Sequence, residues 1–213
     1  SFHRSSLADI PTHPGRQRLP FPDRVELLLY SDAALMPGSR LAYIIVRSRS
    51  PMSPDTYPDI QQLLDLKRPL PVTPTWSAEP AFLRLLIEHC LAARPAVIVE
   101  CSSGLSSLVL ARCCQLNGSG RVYSLENGGE YAAKTKAQLA AFGLANWARV
   151  IHAPLQDYRL GSRHYAWYGL ERLPRLTIDL LVVDGPPGFL QHLSRYPALP
   201  LLRDRLARHC TLF

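Results

Sequence analysis

From residue 76 onward the chain repeats one pattern: a short apolar run, a turn of small or acidic residues, then a stretch with apolar positions at helical spacing. The runs at 96–99, 121–125, 149–152 and 178–183 are too short for helices and rich in Val and Ile, which suits central strands covered on both faces. Residues 105–116 and 131–142 carry the helical period; Asn117 and Gly118 stop the first and Gly143 ends the second as a left-handed cap. An earlier helix opens with Ser77 as N-cap and Glu79 and Pro80 in its first turn, and sets Phe82, Leu83, Leu86 and Cys90 on one face. Residues 199–207 read as helix and 210–213 as the start of another strand. Strands alternating with helices require crossover connections, so the expected fold is α/β, a Rossmann-like, doubly wound, mainly parallel sheet.

The first 75 residues read differently. They are rich in Pro, Ser and Arg, with apolar runs at 25–30 and 41–46 around a turn-like stretch carrying Pro37 and Gly38, the pattern of a small hairpin. A short helix is expected over 59–66. Pro69, Pro71 and Pro74 then make a stiff extended linker, because each fixes its own φ and disfavours helix in the residue before it. The expected organisation is an appendage over 1–75 and a Rossmann-like domain over 76–213.

Composition narrows the function classes. The 213 residues carry a formal charge of +7, but the arginines are scattered and no aromatic residues interleave with a basic run, so a nucleic-acid groove is not indicated. Five cysteines without CxxC spacing suggest neither a disulfide framework nor a structural zinc site and fit a reducing cytoplasm. No apolar run approaches the roughly 18–20 residues that cross a bilayer.

In open α/β sheets ligands bind beyond the carboxyl ends of the strands. Three carboxylates are expected there, Glu100, Glu126 and Asp184, each one residue past an apolar run, where an unpaired charge would be costly unless it faced the crevice. Glu100 is followed by Cys101, Ser102, Ser103 and Gly104, small residues that let a ligand approach the backbone at a helix N-terminus. A lone Gly104 is not the three-glycine dinucleotide fingerprint, which disfavours a nicotinamide-dependent oxidoreductase, and Glu100 would serve a pyrophosphate poorly; a ligand with an ammonium group fits better. Glu126 is placed to accept both hydroxyls of an adenosine ribose. Taken alone, Glu100 reads equally as a carboxylate capping the adjacent turn; with Glu126 the pair favours a cofactor.

Residues 97–111 (VIVECSSGLSSLVLA), the acidic strand end at 122–126 and residues 181–188 (LVVDGPPG) together resemble the class I S-adenosylmethionine-dependent methyltransferases, closest to the bacterial O-methyltransferase-like group of the methyltransferase 24 domain type. The likeness covers about 74–213. It implies that Glu100 and the turn Cys101, Ser102, Ser103 and Gly104 line the methionine moiety, that Glu126 holds the ribose, and that Asn127, Ala153 and Pro154 flank the adenine. Asp184 would stand by the sulfonium as the base or acceptor-positioning group, with His152 and His164 as weaker candidates. Trp76 is a candidate lid and, with Trp167 and Tyr168, a candidate lining for a small-molecule acceptor; Trp167 and Tyr168 read equally as core. Some relatives use a divalent metal held by carboxylates, to which Asp184 would contribute; no ligand spacing supports one here. Ser102 departs from the family's usual glycine and would strain the turn if its φ were positive. The likeness also implies two further strands after Phe213. The competing expectation is a non-catalytic Rossmann-like cofactor-binding or interaction module, and nucleic-acid methylation lacks its Asn/Asp-Pro-Pro-aromatic motif. Acceptor and oligomeric state are not legible.

Overall fold

The computed structural model describes residues 25–31, 42–48 and 55–213, and divides the chain into two units, residues 1–49 and residues 50–213. In the first unit, β1 (Val25–Ser31) pairs antiparallel with β2 (Ala42–Ser48), Val25 opposite Ser48 and Ser31 opposite Ala42. This is the expected hairpin; its turn at Pro37 and Gly38 lies outside the described residues.

The second unit begins before residue 75. Helix α1 (Tyr57–Leu63) starts at a capping box, in which Thr56 and Asp59 exchange side-chain and backbone hydrogen bonds, and it delivers Ile60 and Leu64 fully buried into the main core. That burial ties the segment before the proline linker to the sheet and its helices, so the division falls at 49/50 and not near 75. Helix α2 (Pro80–Ala93) is also corrected at its start: Glu79 is the N-cap, and the Ser77 hydroxyl accepts instead from the Thr73 backbone N–H at 2.7 Å.

Five strands form one parallel sheet in the order β5-β4-β3-β8-β9: β3 (Val97–Cys101), β4 (Arg121–Glu126), β5 (Ala148–His152), β8 (Ile178–Val183) and β9 (Leu206–Leu212). Helices α3 (Leu105–Asn117) and α4 (Gly129–Ala141) connect β3 to β4 and β4 to β5. The pleat sends alternate residues to opposite faces. Ile98, Val122, Val150, Leu180 and Val182 join α1 to α4 in one core, whereas Val99, Leu125, Ile151 and Leu181 face a second.

The second core shows where the connection from β5 to β8 departs from expectation. Residues 155–168 form no crossover helix but an antiparallel hairpin, β6 (Leu155–Leu160) and β7 (Arg163–Tyr168), joined by Gly161 and Ser162 with Gly161 at φ 63°. The hairpin stands where a crossover helix is usual and inserts Trp167 and Tyr168, both buried and packed edge to face at 5.1 Å, beneath the sheet. Each such aromatic removes about 150–250 Å² from water, on the order of 4–6 kcal/mol. Helix α5 (Ala198–Leu202) completes this face. The helix expected over 199–207 stops at Leu202, passes through one 3-10 turn and becomes strand at Leu206, because β8 offers it an open edge.

Candidate active site at the strand ends

Glu100 is not one residue past its strand but inside β3, in register with Ser124 of β4 and fully buried. Its Oε2 accepts from the Ser107 hydroxyl at 2.5 Å and the Ser124 hydroxyl at 2.8 Å, while Ser107 Oγ accepts from the Gly104 N–H at 3.1 Å. Oε1 has no aligned hydrogen-bond partner among the described residues. Burial pushes this carboxyl up to about 7; the surrounding serine hydroxyls oppose the shift and Asp184 adds to it. Glu100 therefore braces the turn from beneath and has no surface with which to touch a ligand.

Above it the turn is strained and open. Ser102 adopts φ 130°, a conformation that favours glycine, and its N–H donates to the Leu125 carbonyl at 2.9 Å, so the departure from glycine noted in the sequence does fall on a left-handed position. Gly104, at φ 150° and the N-cap of α3, has nothing within 4 Å of where a Cβ would stand. Ser103 turns the other way: its hydroxyl donates to Glu126 Oε2 at 2.9 Å and lies 3.1 Å from the Thr135 hydroxyl of α4. Cys101 is buried, and its carbonyl accepts from the Asp184 N–H at 3.2 Å.

Glu126 is the last residue of β4 rather than one past it, and is nearly buried. Besides the Ser103 bond, its Oε1 accepts from the Gly128 N–H at 2.9 Å. Two oxygens have about four acceptor sites, so both hydroxyls of a diol can still be received. Asn127 is half-buried beside it; Ala153 is buried, its N–H donating to the Glu126 carbonyl at 2.7 Å, and Pro154 is exposed with its carbonyl accepting from Gly169.

Asp184 follows β8 directly. Its Oδ1 meets the Arg195 guanidinium at 3.1 Å; burial raises its pKa and Arg195 opposes the rise. The segment beyond it is fastened to the hairpin: the Gln191 amide bonds both the N–H and the carbonyl of Ala166, at 2.9 and 3.0 Å, and the Tyr196 ring lies on Tyr165. Trp76 and Phe189, 60% and 81% exposed, tilt against each other at 6.3 Å on this side.

Not every candidate reaches the crevice. Trp167 is wholly inside the second core, so it cannot line an acceptor pocket. His152 ends β5, opposite Glu126 in register and three strand spacings, about 14 Å, from β8, too far to assist at Asp184. His164 sits on the exposed hairpin with its Nδ1 2.6 Å from Asp157. Missed from sequence were Ser107, Ser124, Thr135 and Arg195. The signal for Ser124 was present: alternation along β4 puts it on the same face as Glu126. No group of three His, Cys, Asp or Glu able to hold a metal exists among the described residues, and no described helix is long and apolar enough to cross a membrane.

No protein of curated function matches the chain. Among solved structures it is similar to the SAH-bound methyltransferase PaMTH1 of Podospora anserina (15% identity, 76% of this chain and 62% of that one, TM-score 0.49). It is also similar to the O-methyltransferase of Bacillus cereus in complex with SAH (17%, 61% and 53%, TM-score 0.40) and to TomG of Streptomyces achromogenes, an O-methyltransferase involved in tomaymycin synthesis, in complex with SAM (21%, 59% and 50%, TM-score 0.38). The chain spans about half the length of the solved O-methyltransferases of Klebsiella pneumoniae, Streptomyces achromogenes and Bacillus cereus that it matches. A family model described as a methyltransferase domain matches residues 99–213, more than half of the sequence and the stretch that carries Glu100, Glu126 and Asp184, and the chain belongs to that methyltransferase 24 family.

Proposed function

We propose that the unit over 50–213 binds S-adenosylmethionine across the ends of β4, β3 and β8 and transfers its methyl group to an oxygen, or a nitrogen, of a small-molecule acceptor. The observation that carries this is Glu126: a carboxylate at a strand end, held by Ser103 and the Gly128 N–H with acceptor capacity left over, beside a turn whose Gly104 leaves room for a ligand. Glu126 and Asp184, at the ends of β4 and β8, also suit a ligand that carries positive charge.

The cofactor supplies an activated methyl group on positively charged sulfur. When the methyl group passes to the acceptor, Asp184 or water would take up the proton that the acceptor gives up. Glu126 and the 101–104 backbone hold and orient the cofactor, with Asn127, Ala153 and Pro154 beside the adenine; Glu100 acts through the turn it braces. Asp184, paired with Arg195, positions the acceptor and takes its proton, while the Trp76 and Phe189 pair covers the acceptor side and excludes water. A divalent metal at Asp184 has no set of three His, Cys, Asp or Glu ligands in support of it among the described residues. Five free, buried cysteines support a reducing compartment, the cytoplasm.

Calorimetric titration with S-adenosylhomocysteine tests the reading. Micromolar binding is expected; no heat at millimolar ligand overturns it. The strained Ser102 favours a second reading, a non-catalytic cofactor-binding or interaction module, which binding without turnover on a broad acceptor panel would establish.

A further inference from the structure

The ring of Tyr168 belongs to the second core, but its hydroxyl leaves it. A methyl group placed on Gly185 would lie 2.3 Å from that hydroxyl, and the same point is 3.2 Å from the Cys101 carbonyl oxygen and 3.2 Å from Ser102 Cβ. The phenol thus reaches the gap between the end of β3 and the end of β8, against Gly185, the residue after Asp184, near which the Cys101 carbonyl and Ser102 also lie. Gly185 has to be glycine for this approach.

A buried tyrosine hydroxyl ordinarily finds a partner within the protein. The Tyr168 hydroxyl makes no hydrogen bond to any described residue and, unlike Trp167 Nε1, is not sealed inside the protein, so it is open to a ligand, whereas Tyr158 on the same hairpin donates to the Tyr168 carbonyl at 3.1 Å. The hydroxyl is also surrounded by acid: burial, then Cys101, Glu126, Glu100 and Asp184, all push its ionisation upward. It remains a neutral phenol with one proton to give and lone pairs to offer.

We infer that the Tyr168 hydroxyl is a ligand contact, bonding the amino-acid end of the adenosyl cofactor in the gap between β3 and β8. The inference rests on the function proposed above and adds a residue to it. A ligand held at its ribose by Glu126 on β4 must cross β3 to reach β8, one to two strand spacings or about 5–10 Å, which brings its amino-acid end and not its adenine to Tyr168.

The test is Tyr168→Phe in the whole chain, titrated with S-adenosylhomocysteine and with methylthioadenosine, which lacks the amino-acid group. Because the hydroxyl bonds nothing in the protein, the ligand-free variant melts at the wild-type temperature. S-Adenosylhomocysteine binds about tenfold more weakly, the loss of one hydrogen bond to a charged group, and methylthioadenosine binds as before. Unchanged affinity for S-adenosylhomocysteine overturns the inference, as does an equal loss for both ligands or a lowered melting temperature of the ligand-free variant. A wild type that binds S-adenosylhomocysteine only through its nucleoside, with equal affinity for the two ligands, overturns it while sparing the proposed function; a wild type that binds neither overturns both.

Discussion

The two sides of the crevice are built to different standards. On the β3 and β4 side one network joins Gly104, Ser107, Glu100 and Ser124, and a second joins Thr135, Ser103, Glu126 and Gly128, with Ser107, Glu100, Ser124, Thr135 and Glu126 buried. On the β8 side one half-exposed ion pair, Asp184 with Arg195, stands among exposed apolar side chains: Trp76, Phe189, Leu190, Leu193 and Tyr196. Buried polar networks fix geometry because leaving any member unpaired is costly, whereas exposed side chains can rearrange at little cost. The contrast is that of a preorganised half suited to one constant ligand and an adaptable half suited to a variable one.

The comparison is broken most directly at Glu126. Glu126→Ala removes the carboxylate expected to hold two ribose hydroxyls and leaves Ser103 without its acceptor; S-adenosylhomocysteine affinity should fall about a hundredfold or more by calorimetry. A loss below about threefold would show that the ordered side is scaffold only.

Next in size is Glu100. Its carboxyl is raised to about 7 in the folded protein, so between the unfolded value near 4.5 and about 7 the native state holds more protons than the unfolded chain. Stability contributed by this group is then fully present below about pH 4.5 and declines as pH rises toward 7, by at most about 3 kcal/mol. Denaturant melts of wild type and Glu100→Gln across pH 5 to 8 should differ by that slope, the amide variant lacking it. Parallel curves would mean that the carboxyl is ionised throughout. Ser102→Gly tests the same side: relieving φ 130° should stabilise the protein by about 1 kcal/mol, and a melting temperature that falls would show the serine to be the better residue there.

These two sides were not equally legible in the sequence. Strand β8 stands at the expected residues, 178–183, because both of its faces are covered and every position but Asp179 is apolar. Glu126 and Gly104 emerged from strand ends and turn composition. Glu100 was misplaced by one step, since a charged residue reads as a strand terminator unless the hydroxyls that receive it, 7 and 24 positions away, are already known. The hairpin was missed because its exposed edge carries Gln156, Asp157, Arg159, Arg163 and His164, which mask the alternation, although Gly161 and Ser162 between two six-residue runs were a usable turn signal. Residues 210–213 read as strand from the sequence, but the start of β9 reads as the end of a helix because Leu199, Leu202 and Leu206 keep a helical spacing until an edge 28 residues back in the chain claims it. The exposed side left still less to read: Arg195 lies 11 residues from the acid it pairs with, and pairing of that kind is set by how the intervening loop folds back.

The smallest expected effect on stability, and the sharpest probe of the adaptable side, is Arg195→Gln. The ion pair is half-exposed, so solvent screens it and its removal should change stability by less than about 1 kcal/mol. Its effect on Asp184 is another matter, because burial already raises that carboxyl and Arg195 is the charge that opposes the rise. Without the guanidinium Asp184 protonates at higher pH, and a protonated acid cannot receive the acceptor's proton. The acid limb of the pH profile for methyl transfer should therefore move upward in Arg195→Gln and stay near its wild-type position in Arg195→Lys, which retains the charge. If the limb does not move in either variant while turnover persists, Asp184 takes no part in proton transfer, and the β8 side only shapes the place where the acceptor lies.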